Sequence, residues 1–258
     1  MAPIDLSDRT AVVTGATGAI GSAVVHTLVE AGAQVGLIAR NRRRLERLRA
    51  HLPEDARTLC CAADVTSAFE VHEARDRILD HLGPPDLLVV AAGIRRAAPF
   101  EEAIPADWNA MLSVNLRGTL QAVQIFAPDI LAAGARDEPA DIILLGTGPA
   151  RERQKAYAVF SSLGTSIGQF AKHLRAEYGP RGVRVHHLAS LFTAGNFFAE
   201  SNFGADRTTS DHHDVLTEEL AAEATIETGR VAAEVAFMAA LPPHVNLARA
   251  TVRPIGSR

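Results

Sequence analysis

The sequence predicts an α/β fold in which one parallel β-sheet lies between two layers of helices. Short apolar runs alternate with amphipathic stretches along most of the 258 residues, which is typical of such a sheet. A glycine-rich turn, Thr14-Gly15-Ala16-Thr17-Gly18-Ala19-Ile20-Gly21, joins the first apolar run to the first amphipathic stretch. With 47% hydrophobic residues the chain can bury one large core. We therefore expect one domain over residues 1–258, a Rossmann-type doubly wound sheet in three α/β/α layers.

Seven apolar runs are predicted as strands, and most are separated by helical patterns. They are Ala11–Thr14, Val35–Ala39, Thr58–Ala62, Leu87–Ala92, Ile142–Leu145, Val183–Leu188 and Ala250–Val252. An amphipathic helix, Ala19–Ala31, follows the glycine turn. Cys60 and Cys61 are adjacent in the third strand and so point to opposite faces, which predicts buried thiols and no disulfide between them.

The irregular region Ser190 to Thr209 is rich in Phe, Gly, Asn and Ser, and a helix-like stretch, Asp214 to Thr225, follows it. A long segment near the carboxyl ends of the strands is typical of a lid, so we expect a substrate lid around residues 190–225. The run Asp211-His212-His213-Asp214 is interpreted as a solvated loop, because adjacent ligands seldom point at one metal ion. No metal site is predicted.

The glycine turn has the context that a dinucleotide site requires, between a strand and a helix. Gly15 permits the tight turn, Gly18 lets the backbone approach a pyrophosphate, and Gly21 allows close packing of helix and strand. The second strand ends at Ala39, where an NAD site would carry an acid, and Arg40 follows. Since an arginine can pair with a 2′-phosphate, the predicted cofactor is NADP(H). Arg43 and Arg44 are interpreted as a solvated start of the next helix.

Composition argues against several classes of function. The net charge of −4 and the mixed surface charges give no basic footprint for nucleic acid. The first eight residues lack a secretory signal, and no apolar run approaches the length of a membrane span. The sequence therefore predicts a cytoplasmic protein that acts on a small molecule and binds neither nucleic acid nor membrane.

Several further motifs resemble the short-chain dehydrogenase/reductase family over nearly the whole chain. They are Asp64-Val65-Thr66, Ala91-Ala92-Gly93, Asn115-Leu116-Arg117-Gly118 and Arg181-Gly182-Val183-Arg184-Val185. The resemblance implies an aspartate at the adenine, an Ala-Gly turn beside the cofactor and a catalytic asparagine, Asn115. The predicted cofactor residues come from the glycine turn, the end of the second strand and the first two of these motifs: Gly15, Thr17, Gly18, Ile20, Gly21, Arg40, Asp64, Val65, Ala92 and Gly93.

The predicted catalytic centre departs from the family pattern. Counting back from Arg181-Gly182-Val183 places Phe160 at the family's tyrosine, Gly164 at its lysine and Thr147 at its serine. Tyr157 stands three positions before Phe160 and is the alternative proton donor, or else a packing residue at a helix start. Thr147 is either a donor to a substrate oxygen or a turn residue.

Two other groups near this centre have alternative interpretations. Lys155 could partly replace the missing lysine charge, since residues two apart in an extended chain share a face. His187 is interpreted as a hydrogen-bonded core histidine, with acid catalysis as the alternative.

The function predicted from the sequence is NADPH-dependent reduction of a carbonyl or conjugated enone of a small apolar molecule, with Asn115, Thr147 and Tyr157 as the catalytic set. The alternatives are a redox-neutral enzyme of the same fold (an isomerase, dehydratase or cyclase) and a non-catalytic NADPH-binding protein. The resemblance also implies a homo-oligomer, a dimer or tetramer. Its interface is predicted around two segments, Trp108–Phe126 and Ser161–Tyr178, and the apolar stripe of the second faces either a partner or the sheet.

Overall fold

The structure, a computed structural model, describes residues 4–147, 156–190, 226–253 and 255. Within these residues seven parallel strands form one sheet. The strands are β1 (Thr10–Thr14), β2 (Gln34–Ala39), β3 (Thr58–Ala62), β4 (Leu87–Val90), β5 (Asp141–Thr147), β6 (Arg184–Ser190) and β7 (Arg249–Val252). Their order across the sheet is β3-β2-β1-β4-β5-β6-β7. All seven predicted strands are confirmed, although β4 ends two residues earlier than expected.

Helices connect the strands. The α-helices are α1 (Ala19–Glu30), α2 (Arg42–Ala50), α3 (Ala68–Leu82), α4 (Pro105–Met111), α5 (Thr119–Gly134), α6 (Ala158–Tyr178) and α7 (Thr228–Ala239). A π-helical segment, Leu112–Gly118, joins α4 to α5, and short 3₁₀ turns cover Phe100–Glu102 and Gly179–Arg181. The side chains of Asn41 and Ser67 cap α2 and α3 by accepting hydrogen bonds from backbone N–H groups in the first turn.

Two apolar cores flank the sheet and give the predicted three layers. On one face α1, α2 and α7 bury Leu28, Leu45 and Val235 against the strands. On the other face α3, α5 and α6 bury, among others, Ile78 and Phe126. The strands are apolar on both faces because helices cover both, as in other all-parallel sheets.

The apolar stripe of α6 belongs to the sheet. Ile167, Ala171 and Leu174 are buried in the core beneath α6, and Phe170 packs against the same core. This stripe was one of the two regions expected at an oligomer interface, and the structure uses it inside the chain. The homo-oligomer stays a prediction, without this support.

A buried ionic cluster ties the amino ends of the strands to α7. Asp141, fully buried at the start of β5, accepts hydrogen bonds from Arg184 (2.7 Å at each oxygen) and Arg9 (2.7 Å), and His186 Nε2 lies 3.0 Å away. The same two guanidinium groups donate to the carbonyl of Ala239 at the end of α7 (2.8 and 3.2 Å). Cations are favourable at a helix C-terminus.

Some predictions fall on residues outside the described part of the chain. These are the lid except for Ser190, the run Asp211–Asp214 and Lys155. Among the helices that are described, none combines the length and the apolar character that crossing a bilayer requires.

Candidate active site

The glycine turn lies where the strand order reverses, between β1 and its neighbours β2 and β4. Gly15 has φ +66°, a left-handed conformation that favours glycine, and a Cβ there would lie 2.6 Å from Ala92 Cα. A Cβ at Gly21 would lie 2.1 Å from the Gly15 carbonyl oxygen. The turn can therefore close only with glycine at these two positions, and it closes against the backbone that follows β4.

The amino end of α1 presents bare backbone to the carboxyl edge of the sheet. Gly18 is the N-cap residue, with no side-chain cap, and among the described residues a Cβ there would meet only the Gly15 carbonyl oxygen, at 3.3 Å. The free N–H groups at a helix N-terminus bind phosphate well. The side chain of Ile20 packs against the core beneath. The turn thus fits the pyrophosphate of a dinucleotide.

Two arginines follow β2 beside this turn. Arg40 is exposed directly after Ala39, and the half-buried Arg44 in α2 donates from Nη2 to the carbonyl oxygen of Thr17 at 3.2 Å. Arg43, between them in sequence, is exposed. The interpretation of Arg44 as a solvated residue was wrong, because its side chain folds back onto the glycine turn.

The turn after β3 is organised by Asp64. Its Oδ1 accepts from both the backbone N–H and the hydroxyl of Thr66, each at 2.8 Å. Val65 is buried against Gly118, where a Cβ would lie 2.8 Å from Val65 Cγ2. These contacts fix the backbone of residues 64–66 at the carboxyl edge of the sheet, where the resemblance implies an adenine contact.

Asn115 holds the loop after β4. It lies in the π-helical segment, and its side-chain amide makes two 2.8 Å hydrogen bonds to Ile94, accepting from the N–H and donating to the carbonyl oxygen. Gly93 lies beside it, where a Cβ would be 3.6 Å from Asn115 Oδ1. π-Helical turns of this kind are frequent at functional sites. The geometry gives Asn115 a positioning contact, and its catalytic role stays a prediction.

Tyr157 lies against this loop at the start of α6. The Ala98 N–H donates to the Ala156 carbonyl oxygen at 3.0 Å, which joins the loop to the residue before Tyr157. Ala156 has φ +69°, a conformation that costs a residue with a Cβ about 1–2 kcal/mol. Such strain is a feature of functional sites. It directs the chain so that Tyr157 enters α6 as its N-cap residue.

The Tyr157 ring is buried, with 5% of its surface exposed. Phe160 meets it edge-on, with ring centroids 6.4 Å apart, and the guanidinium carbon of Arg95 lies 5.3 Å from the Tyr157 centroid. Burial raises the pKa of Tyr157 above its usual value, and the Arg95 charge opposes that rise. The phenol is therefore protonated at neutral pH.

The structure gives fewer contacts for the other residues predicted at the catalytic centre. Thr147 ends β5 and pairs with Ser190 of β6, and its side chain is outside the described part of the structure. Phe160 and Gly164 both lie in α6, and Gly164 is buried.

His187 is a core residue that fills a gap between two glycines. A Cβ at Gly146 would lie 2.4 Å from its Nε2, and one at Gly168 would lie 3.2 Å from its Cε1. Burial lowers the pKa of His187, and the charges of Arg249 and Arg175 add to this. The core placement was predicted, but Nε2 has no hydrogen-bond partner among the described residues. A buried neutral imidazole is a poor proton donor, so the acid role loses support.

Sequence reasoning missed two contributions to this site. Arg95 follows the Ala-Ala-Gly turn, and its position two residues beyond Gly93 was the available signal. Arg44 was predicted to be solvated, like Arg43. Three arginines begin α2, and periodicity alone does not show which of them turns inward.

A glycine turn at the switch point of a 3-2-1-4-5-6-7 parallel sheet defines a Rossmann-fold dinucleotide-binding protein. The family model described as short chain dehydrogenase matches residues 9–204. The chain belongs to this family and is an oxidoreductase.

Relatives extend over nearly the whole chain. An uncharacterized oxidoreductase of Staphylococcus epidermidis is 26% identical over 250 residues, covering 97% of this chain and 99% of that protein. D-threitol dehydrogenase of Mycolicibacterium smegmatis is 32% identical over 187 residues, 71% of this chain and 70% of that protein. The NADPH-bound structure of a short chain oxidoreductase from Pseudomonas aeruginosa PAO1, which contains an atypical catalytic center, matches with TM-score 0.84, at 25% identity and 99% coverage of both chains.

Proposed function

We propose that this oxidoreductase uses NADPH to reduce a carbonyl or conjugated enone of a small apolar molecule. The observation that carries the cofactor choice is the hydrogen bond from Arg44 to the carbonyl oxygen of Thr17, which holds a guanidinium against the dinucleotide turn. Arg40 adds a second positive charge at the same edge, and Ala39 offers no acid to a free 2′-hydroxyl. The NADPH-bound relative from Pseudomonas aeruginosa supports the same choice.

In the proposed reaction Tyr157 is the proton donor. When bound, the reduced nicotinamide supplies a hydride to the substrate carbon. Tyr157 donates the proton that the substrate oxygen takes up, and its raised pKa keeps it protonated until then. Asn115 orders the loop that faces Tyr157 through its two hydrogen bonds to Ile94. Thr147, at the end of β5, is proposed to orient the substrate oxygen.

The apolar character of the substrate is inferred from the ring pair at the start of α6. Tyr157 and Phe160 meet edge-to-face, and Phe160 is half-buried, so an apolar substrate can lie against the uncharged Phe160 ring. Consumption of NADPH on a panel of ketones and enones tests the reaction. Turnover of a substrate without consumption of NADPH would contradict the reductase.

Cofactor preference gives a first prediction. NADPH should bind more tightly than NADH, and Arg40→Ala and Arg44→Ala should each weaken NADPH binding by about 10- to 100-fold, the worth of a charge-assisted hydrogen bond. Each variant should weaken NADPH binding more than NADH binding, because the lost partner is the 2′-phosphate. Fluorescence titration of both cofactors against each variant measures this.

Arg43→Ala is the matched control, since Arg43 lies in the same helix as Arg44 and is exposed. It should leave both affinities unchanged. Equal affinities for the two cofactors in the wild type, or unchanged NADPH binding by Arg40→Ala, would contradict the preference for NADPH.

A further inference from the structure

We propose that Arg95 acts as the positioning cation of Tyr157, supplying from the loop after β4 the positive charge that stabilises the tyrosinate. The inference rests on the proposed function, because it concerns the proton donor of that reaction.

The geometry places the guanidinium at the ring. Arg95 Cζ lies 5.3 Å from the Tyr157 centroid, within the usual range of a cation–π contact. The two residues belong to segments that are fastened together, since Ala98 donates to the carbonyl oxygen of Ala156. Asn115 fastens the same loop from the other side through Ile94. The backbone at Arg95 is thus held near that at Tyr157 by a backbone hydrogen bond on one side and by the Asn115 side chain on the other.

Burial strengthens the interaction. Tyr157 is 5% exposed and Arg95 is half-buried. Charges interact more strongly when water is excluded. Burial lowers the pKa of Arg95, and interaction with Tyr157 opposes that effect. Among the charged groups that the structure describes, Arg95 is the one that acts on the pKa of Tyr157. Phe160 of α6, which packs against the Tyr157 ring, carries no charge.

The consequence for the reaction concerns the tyrosinate left after proton donation. A buried phenol without a nearby cation is a weak acid, because its anion is poorly solvated. The Arg95 charge lowers the free energy of that anion, so the proton leaves more readily for the substrate oxygen. Water then returns a proton to the phenolate. Gly164, at the position where the resemblance implies a lysine, has no side chain to supply this charge.

Ultraviolet titration of tyrosinate tests the inference without any substrate. The chain has two tyrosines, so the Tyr178→Phe variant reports Tyr157 alone. In that background Arg95→Met should raise the pKa of Tyr157 by about one unit, from the Coulomb energy of the lost charge. Arg95→Lys, which keeps the charge, should hold the pKa within about half of that change. NADPH turnover should fall roughly three- to tenfold in Arg95→Met and recover in Arg95→Lys.

Arg181→Met is the matched control, because Arg181 is exposed and its guanidinium carbon lies 5.7 Å from the ring of Tyr178. In the same Tyr178→Phe background it should leave the pKa of Tyr157 unchanged. Should Arg95→Met fail to fold, Arg95→Gln provides an uncharged polar substitute with the same expected rise. A Tyr157 pKa that is the same in Tyr178→Phe and in the folded, uncharged Arg95 variant of that background overturns the inference.

The two proposals fail separately. Suppose that the pKa of Tyr157 depends on Arg95 but that Tyr157→Phe keeps full reductase activity. Tyr157 would then not be the proton donor, whereas its electrostatic interaction with Arg95 would stand. Suppose instead that the pKa of Tyr157 does not depend on Arg95 but that Tyr157→Phe loses most of its activity. The role of Arg95 would then be wrong, whereas the proposed reaction would stand.

Discussion

Tyr157→Phe should lower the turnover of a reducible substrate by about two to four orders of magnitude, the usual scale of general acid catalysis, with little change in NADPH affinity. The substitution keeps the ring and its packing against Phe160 and deletes only the hydroxyl. If Tyr157 served only to pack, the loss would be small. Steady-state NADPH oxidation and a separate cofactor titration measure the two effects.

Tyr178→Phe is the control, because it makes the same change at the far end of α6. It should turn over like the wild type. Thr147→Val is a companion variant that keeps the branched shape and deletes the hydroxyl, and it should also lose activity. Wild-type turnover by both Tyr157→Phe and Thr147→Val would mean that the proposed mechanism is wrong.

Asp141→Asn should reduce the free energy of unfolding by about 3–5 kcal/mol, the usual cost of breaking a buried ion pair. Asp141 is fully buried, and the side chains of Arg9 and Arg184 are only 6% and 4% exposed. The neutral amide keeps the shape, but it deprives Arg184 of its carboxylate partner and leaves Arg9 paired with Asp86 alone among the described residues. Urea or thermal unfolding of the purified variant gives the change.

Asp76→Asn is the matched control for Asp141→Asn. The Asp76 side chain is 68% exposed and pairs with Arg75 at 3.3 Å, so the same substitution should cost less than about 1 kcal/mol. An Asp141→Asn variant as stable as Asp76→Asn would contradict the role of the ionic cluster.

The pKa of Asp141 makes this contribution depend on pH. Burial opposes its ionisation, but hydrogen bonds from His186 and Arg184 and the charges of Arg9 and Arg184 outweigh burial and lower the pKa. A folded-state pKa below the unfolded value gives stability that is present above the unfolded pKa. That stability is lost as the pH falls through the folded-state pKa of this carboxyl.

The strands and the glycine turn could be predicted because they depend on local pattern. An all-parallel sheet has apolar strands throughout, and the three glycines fall at a fixed spacing between a strand and a helix. The absence of an acid at Ala39 could also be interpreted locally, because Ala39 is the last residue of β2. The sheet and its order of strands and helices could therefore be predicted from the sequence.

The contacts of the candidate site could not be predicted in the same way. Arg95 and Tyr157 are 62 positions apart, and their contact depends on the fold bringing the loop after β4 to the start of α6. The inward turn of Arg44 depends on where Thr17 places a carbonyl oxygen. The apolar stripe of α6 could face either a partner or the sheet, and periodicity gives the same pattern for both.

The buried ionic cluster also has a consequence for synthesis on the ribosome. Arg9 is synthesised before β1, whereas its acceptor Ala239 lies 230 positions later. Until α7 has left the exit tunnel, Arg9 and Arg184 lack the carbonyl oxygens that end this helix. We expect nascent chains stalled before Ala239 to remain sensitive to protease, and chains released beyond Pro242, whose carbonyl oxygen accepts from Arg184, to gain protection in one step. Although the dinucleotide turn is made early, the nascent chain acquires its stable fold only after α7 has been synthesised.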